Sequence, residues 1–225
     1  MFHAVLPTFS RRIALVLGAT LLLAPADIRD AAAQRLGPAP EVSVEELMKP
    51  TDLPDIGVGP ANAKVTVVEY SSLTCPHCAH FAQQVFPAFK AKYIDTGKVR
   101  FITREFPLDN MAAGASMLAR CVDPDKAFAF IDNLFQTQDA WAHGEGNAVT
   151  RLFEAAKPAG FTKESFDKCL TDQALLDKIN NGRTRAGDKF QINSTPTFFV
   201  NGKRLTGVNQ VDDFAKIIDP ILEGK

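Results

Sequence analysis

The chain has 225 residues, of which 46% are hydrophobic and 23% charged, so it is long and apolar enough to bury a sizeable core. Its net charge of −1 gives no basis for binding a polyanion, and we predict no nucleic-acid partner. Its four cysteines are an even number, which is typical of proteins with paired disulfides in an oxidising compartment.

The N-terminus has the order of a cleaved secretory signal. Arg11-Arg12 precede an apolar run from Ile13 to Ala24, and the small residues Ala31-Ala32-Ala33 form a cleavage-site pattern. The apolar run is too short to span a bilayer comfortably. We therefore predict a signal peptide over 1–33 and export to the periplasm, with Ala24-Pro25-Ala26 as a second possible cleavage site and an uncleaved anchor as the alternative.

A short N-terminal segment is predicted over 34–60. Within it, Ser43 and Glu46 have the spacing of a capping box, which predicts a helix through Met48. Ile56–Val58 is predicted as a short strand before the turn that leads into the first domain.

The next stretch predicts a strand–helix–strand unit. Lys64–Tyr70 is an apolar, β-branched strand, His77–Tyr93 has apolar residues four apart, and Val99–Phe106 is a second strand. Pro87 lies inside the helix and should kink it, because proline lacks a backbone N–H. Strand, helix and strand of these lengths predict a βαβ unit with parallel strands.

Residues 109–190 have helical patterns throughout, which predicts an inserted helical domain. The predicted helices are Met111–Cys121, Asp123–Gln136, Thr150–Ala156, Thr162–Leu170 and Asp172–Lys189. Between the second and third of them, the Gly-rich stretch from Trp141 to Gly146 predicts an exposed loop.

Strand patterns return after the insertion. Asn201-Gly202 is a strong hairpin signal, and it separates Thr197–Val200 from Lys203–Thr206. A last helix is predicted over Val211–Ile218, with a cap at 209 and an end at the proline at 220.

The element order is therefore βαβ, a helical insertion, and ββα. This order predicts an α/β thioredoxin-like fold with a mixed sheet, in which 61–108 and 191–225 form the sheet domain and 109–190 the inserted helices.

The motif Cys75-Pro76-His77-Cys78 lies where the first buried strand passes into a helix. A helix N-terminus carries partial positive charge and unpaired N–H groups, so it stabilises a thiolate, which is the form that attacks disulfides. Pro76 suits the first turn, where its missing N–H costs nothing. We predict that Cys75 is an activated, partly exposed nucleophile and that Cys78, one turn further, closes a disulfide with it.

A structural zinc site or inert thiols are the alternatives for these two cysteines. A tetrahedral zinc site usually needs a second ligand pair, but Cys121 and Cys169 are not spaced as one. His77 and His80 are too close along the chain to complete an unstrained site with both thiols. We predict no metal and no other cofactor.

Motifs and element order together resemble the DsbA-like thiol–disulfide oxidoreductases of the bacterial periplasm, and most closely their α-proteobacterial branch. The matching features are Cys75-Pro76-His77-Cys78, the acid Glu69 six residues earlier, the run Ser194–Phe199 and the helical insertion. The likeness extends from about Ala61 to the C-terminus. It implies a monomer that introduces disulfides into secreted proteins with free thiols, and a quinone-linked membrane protein that reoxidises it.

The resemblance also implies roles for individual residues. His77 should raise the oxidising power of the disulfide. A cis Thr195–Pro196 bond should face the cysteines and present Thr195 backbone groups to an extended substrate segment. Glu69 has two readings: a proton acceptor near Cys78 with a pKa raised by burial, or an acid that strand alternation carries to a wet surface.

A second cysteine pair in the helical part is implied as well. Once Cys75 and Cys78 pair with each other, Cys121 and Cys169 remain, each in a predicted helix of the insertion. Two buried free thiols are the alternative.

Two other functions stay open. A disulfide isomerase or reductase is disfavoured because only about thirty residues separate Gln34 from Lys64, whereas isomerases of this fold commonly carry a long dimerisation region. A peptide-binding chaperone without redox chemistry is disfavoured by the intact cysteines and the Thr-Pro loop.

Overall fold

The computed structural model describes residues 41–225, so the predicted signal peptide over 1–33 lies outside the described residues. Five strands form one mixed sheet in the order β1-β3-β2-β4-β5. The strands β1 to β5 are Ile56–Val58, Val65–Ser71, Val99–Glu105, Thr197–Val200 and Lys203–Leu205. β2 and β3 are parallel, which confirms the βαβ prediction, and the other neighbouring strands are antiparallel.

The helix that joins β2 to β3, called here the crossover helix, is not uniform. It consists of α2 (Pro76–His80), a π-helical segment, α3 (Phe86–Phe89) and a second π-helical segment; the π segments are Phe81–Val85 and Lys90–Ile94. Pro87 lies in the first turn of α3, where its missing N–H is tolerated. The change from π to α geometry thus falls at the proline for which a kink is predicted.

The insertion between β3 and β4 is helical, as predicted. Its helices α4 to α9 are Asn110–Cys121, Pro124–Gln136, Gln138–Trp141, Ala148–Ala156, Lys163–Leu170 and Gln173–Phe190, with a 3-10 turn at Lys157–Ala159. Five of them begin at a side chain that accepts a first-turn backbone N–H: Asp109, Asp123, Asn147, Thr162 and Asp172.

The prediction that the stretch beginning at Trp141 is an exposed loop is wrong at its first residue. Trp141 ends α6 and is only 1% exposed. Its indole N–H donates to the carbonyl of Leu134 at 2.7 Å. Burying a tryptophan whose N–H is paired is favourable enough to override the nearby glycines, which dominate the local pattern.

The last helix, α10, spans Val211–Glu223 and differs from the prediction at both ends. It begins at Gln210 and not at Asn209, because the Asp213 carboxylate accepts the backbone N–H groups of both residues at 3.3 and 3.1 Å.

At its other end α10 does not stop at Pro220. Ile221 and Leu222 follow the proline and pack against the core cluster under the sheet. Burial of these two apolar side chains outweighs the one backbone hydrogen bond that the proline removes.

The core lies on both faces of the sheet and inside the insertion. One face packs under the crossover helix and α10 through Val67, Phe81, Phe89, Phe101, Phe198 and Phe214. The other face packs against the N-terminal helix α1 (Val44–Met48) and α9 through Leu47, Val68, Tyr70, Phe190 and Phe199. A third cluster fills the insertion and includes Cys75 and Cys78, so the inserted helices help to bury the two thiols.

The N-terminal segment is tied to the sheet by a buried arginine. Arg104 on β3 donates to both carboxylate oxygens of Asp55, at 2.7 and 3.0 Å, and to the carbonyl of Leu47 at 2.7 Å. The predicted cap of α1 is present, since the Ser43 hydroxyl accepts the backbone N–H of Glu46 at 3.1 Å. None of the helices within residues 41–225 is both long and apolar enough to cross a membrane.

Candidate active site

Cys75 sits at the junction of β2 and the crossover helix, as predicted. It is the N-cap of α2, with extended backbone angles, and Pro76 follows in the first turn. Its N–H donates to the carbonyl of Ser72 at 3.0 Å, and its own carbonyl accepts the N–H groups of Cys78 and Ala79 at 3.1 Å. Both thiols are free, so the structure represents the dithiol form.

The expectation that Cys75 is partly exposed is wrong. Its exposed fraction is 6%, and that of Cys78 is 0%. The loop before β4 covers the sulfur: the carbonyl of Thr195 lies 3.4 Å from Cys75 Sγ. The Thr195–Pro196 bond is cis, as the resemblance implies. A substrate therefore reaches Cys75 only beside this loop.

The two thiols have opposite acid–base properties. The hydrogen bond from the Cys78 thiol is the largest cause that lowers the pKa of Cys75 from 9.0 to about 5; burial opposes this, and contacts from Thr195 and the backbone of Cys78 and His77 add to it. Burial, then the same thiol–thiol hydrogen bond, raises the pKa of Cys78 well above 9.0. Near neutral pH, Cys75 is the thiolate and Cys78 the thiol.

Glu69 is buried behind these sulfurs, with 3% of its surface exposed, so the alternative that strand alternation carries it to a wet surface is wrong. It lies on β2 between Thr103 of β3 and Phe198 of β4. Burial, and secondarily the negative charge of Cys75, raise its pKa to about 8. Glu69 in turn raises the pKa of Cys78, which places it within electrostatic reach of both thiols.

A groove of about 260 Å³ opens beside the thiols. Its walls come from the exposed residues His77 and His80, from the Ser194–Pro196 loop, and from residues 206–209 after β5. The His77 contribution to the low pKa of Cys75 comes through its backbone N–H. The predicted positions of His77, Thr195 and Pro196 thus converge on one groove.

Two further contacts hold the cysteine loop, and neither was predicted. The buried amide of Gln138, on α6, donates to the carbonyls of Leu73 and Cys75 at 2.7 and 3.1 Å. The Asp109 carboxylate accepts the hydroxyl of Thr74 at 2.6 Å. The helical insertion therefore fixes the backbone that carries the nucleophile, and no local motif around Gln138 indicates this.

The remaining predicted site residues lie within the insertion. Cys121 and Cys169 form a disulfide with an S–S distance of 2.10 Å and a Cα–Cα distance of 6.3 Å, which joins α4 to α8. Within residues 41–225, no group of three or more His, Cys, Asp or Glu side chains is arranged to hold a metal ion.

Comparisons with known proteins agree with this geometry. A thioredoxin family model matches residues 51–220. A putative protein-disulfide oxidoreductase of Rickettsia bellii is 34% identical over 203 residues, which are 88% of this chain and 76% of that protein. Disulfide bond formation protein D of Bacillus subtilis is 30% identical over 178 residues, 75% of this chain and 77% of that protein. The chain spans about two thirds of the length of four further Rickettsia relatives.

Among solved structures, the crystal structure of Wolbachia pipientis alpha-DsbA1 superposes with a TM-score of 0.73 and 32% identity, over 81% of this chain and 97% of that one. The family model covers most of the chain, and the relatives and the solved structure share its sheet and its helical insertion. From its fold, its buried thiol pair and these likenesses, the chain belongs to the DsbA-like thiol–disulfide oxidoreductases.

Proposed function

We propose that this protein is a periplasmic oxidase that donates the Cys75–Cys78 disulfide to exported proteins. The observation that carries the proposal is the difference between the two thiols: a pKa of about 5 for Cys75 and one well above 9.0 for Cys78. A thiolate as stable as that of Cys75 is a good leaving group. It also favours the reduced enzyme, which makes the oxidised form a strong disulfide donor.

The proposed exchange has two steps. A substrate thiolate attacks the sulfur of Cys75, the Cys75–Cys78 bond breaks, and its electron pair goes to Cys78, which takes a proton from Glu69. A second substrate thiolate then attacks the substrate sulfur of the mixed disulfide. The substrate disulfide forms and Cys75 leaves as a thiolate, so two electrons pass from the substrate to the enzyme.

The groove beside Cys75 supports an extended peptide as the substrate. The Thr195 carbonyl lies at the sulfur, where the backbone of a bound strand can pair with this loop. His77 lies at the exposed edge of the groove, and we propose that it interacts with the substrate and raises the oxidising power.

The compartment and the partners follow from the predicted signal and from the relatives. Exported proteins with free thiols are the proposed substrates, the enzyme acts as a monomer, and a quinone-linked membrane protein is proposed to return it to the disulfide form. The apolar surface that a membrane partner would contact is not identified here from the described residues.

The oxidase and isomerase alternatives are separated by two assays on the purified mature chain. The oxidised protein should oxidise a dithiol peptide rapidly but should restore little activity to scrambled ribonuclease. Cys78→Ser should accumulate mixed disulfides with the peptide, because the resolving thiol is missing, whereas Cys75→Ser should accumulate none. Efficient ribonuclease rescue with slow peptide oxidation would favour an isomerase, and equal trapping by both variants would contradict the assignment of the nucleophile.

A further inference from the structure

A small cavity lies behind Cys78, between the crossover helix, the sheet and α5. Its volume is about 20 Å³, which is room for one water molecule. Three of its lining residues carry oxygen atoms, namely Glu69, Thr103 and Asp132, and the others are apolar. We infer that Asp132, on the helical insertion, is the outlet through which Glu69 exchanges its proton with solvent by way of a water in this cavity.

The inference rests on the proposed function, in which Glu69 exchanges a proton with Cys78. At the inner end of the cavity, Glu69 Oε1 is buried and has no hydrogen-bond partner among residues 41–225. A buried carboxyl oxygen without a partner is costly, so a bridging water is favoured at this point.

The charged and titratable groups around Glu69 are few. Cys75 and Cys78 face it from the crossover helix, and its neighbours across the sheet, Thr103 and Phe198, are neutral. The remaining ionisable group on the cavity wall is Asp132. A proton that leaves Glu69 away from the thiols therefore has one acceptor ahead of it.

The outer end of the cavity is at Asp132. Of the ten lining residues, eight are buried, and only Phe128 and Asp132 are partly exposed. Asp132 accepts a long hydrogen bond of 3.3 Å from the Gln136 side chain on the solvent side. The Thr103 hydroxyl, 3.2 Å from the hydroxyl of Ser71, adds a polar wall between the two acids. A water here has three oxygen partners, within the usual range for a buried water.

The route acts when the active-site disulfide closes. The sulfur of Cys78 attacks that of Cys75 in a mixed disulfide, the outgoing thiolate leaves, and the proton of Cys78 passes to the Glu69 carboxylate. That proton then moves through the water to Asp132 and to solvent. In the opposite direction, when substrate opens the disulfide, a proton enters by the same path. Asp132 touches neither sulfur and is a positioning residue for the proton.

Near neutral pH the outlet should limit the rate. Because the pKa of Glu69 is about 8, most of it is protonated at pH 7 and must lose a proton before it can act as a base. Above pH 8 it is already ionised, and the outlet is no longer needed for the first turnover.

The test uses reduced protein mixed rapidly with oxidised glutathione, with acid quench and alkylation to follow closure of the Cys75–Cys78 disulfide. A positioned acid or base contributes about 100-fold or more, so Asp132→Asn, one step removed, should slow closure about tenfold near pH 6.5. The variant should approach the parent rate above pH 8. Formate should restore closure in Asp132→Ala. Asp125→Asn, an exposed acid on the same helix, is the matched control and should not change the rate.

Each outcome decides something distinct. Equal closure rates for Asp132→Asn and the parent from pH 6 to 8 would overturn the outlet, even if Glu69→Gln is slow. A normal rate for Glu69→Gln would remove the proton role of Glu69 from the proposed function. An equal slowing by Asp132→Asn in the Glu69→Gln background, or no rescue by formate, would mean that Asp132 acts through structure alone and would also overturn the outlet.

Discussion

The reduced protein should be more stable than the oxidised protein at neutral pH, and its advantage should grow as the pH rises. The perturbation is reduction of the Cys75–Cys78 disulfide. Only the reduced form has a Cys75 thiol that can ionise, and the folded structure lowers its pKa from 9.0 to about 5. A depressed folded pKa stabilises the folded state above the unfolded pKa, and that stability is lost as the pH falls through the folded pKa.

The magnitude follows from this change in pKa. A fall from 9.0 to about 5 corresponds to about 5 kcal/mol once the pH exceeds 9, since one pKa unit is about 1.4 kcal/mol. At pH 7 about 3 kcal/mol is present, and near pH 5 almost none. Glu69 reduces the gain, because the Cys75 charge raises the pKa of that buried acid and so opposes its ionisation. These figures are therefore upper values.

Paired urea unfolding curves of the two redox forms, at several pH values from 5 to 9, measure the effect. The difference between the two forms cancels groups that titrate alike in both, and mass spectrometry shows whether the Cys121–Cys169 bond is intact in each sample. Reduced Cys75→Ser is the control and should lack the rise with pH. A difference that does not change with pH, or an oxidised form that is the more stable at pH 7, would refute the reasoning and favour a reductase.

Two predictions concern the insertion. A non-reduced digest should contain a peptide pair joined through Cys121 and Cys169, and alanine at both positions should lower the free energy of unfolding by up to about 4 kcal/mol for a separation of 48 residues; free thiols at both positions would contradict the pairing. Gln138→Leu leaves the carbonyls of Leu73 and Cys75 without their amide donor and should cost about 2 kcal/mol and slow peptide oxidation, whereas an unchanged oxidation rate would show that this amide does not position the nucleophile.

Most of the fold could be predicted from local patterns. Strand alternation, helical spacing, capping residues and the Asn201-Gly202 turn are each visible within a few residues of the chain. The errors fall where distant packing overrides the local pattern. Trp141 is buried although glycines follow it, and α10 continues through Pro220 because Ile221 and Leu222 find a core to pack against.

The site divides in the same way. Cys75 and Cys78 are adjacent in sequence, and their position at a helix start predicts their chemistry. The cover that the Thr195 loop places over Cys75 depends on a contact across 120 residues, so the burial of that sulfur could not be predicted. Gln138 reaches the cysteine loop across 63 and 65 residues, and its own neighbourhood carries no sign of that contact.

The burial of Trp141 has an optical consequence. It is the only tryptophan in the chain, its indole is held at the carbonyl of Leu134, and it lies one helical turn from the Gln138 amide that holds Cys75. Selective excitation of the indole therefore observes a single, fixed chromophore at the junction of the insertion and the cysteine loop. We expect its emission to differ between the dithiol and disulfide states, so that turnover can be followed in real time without an added label.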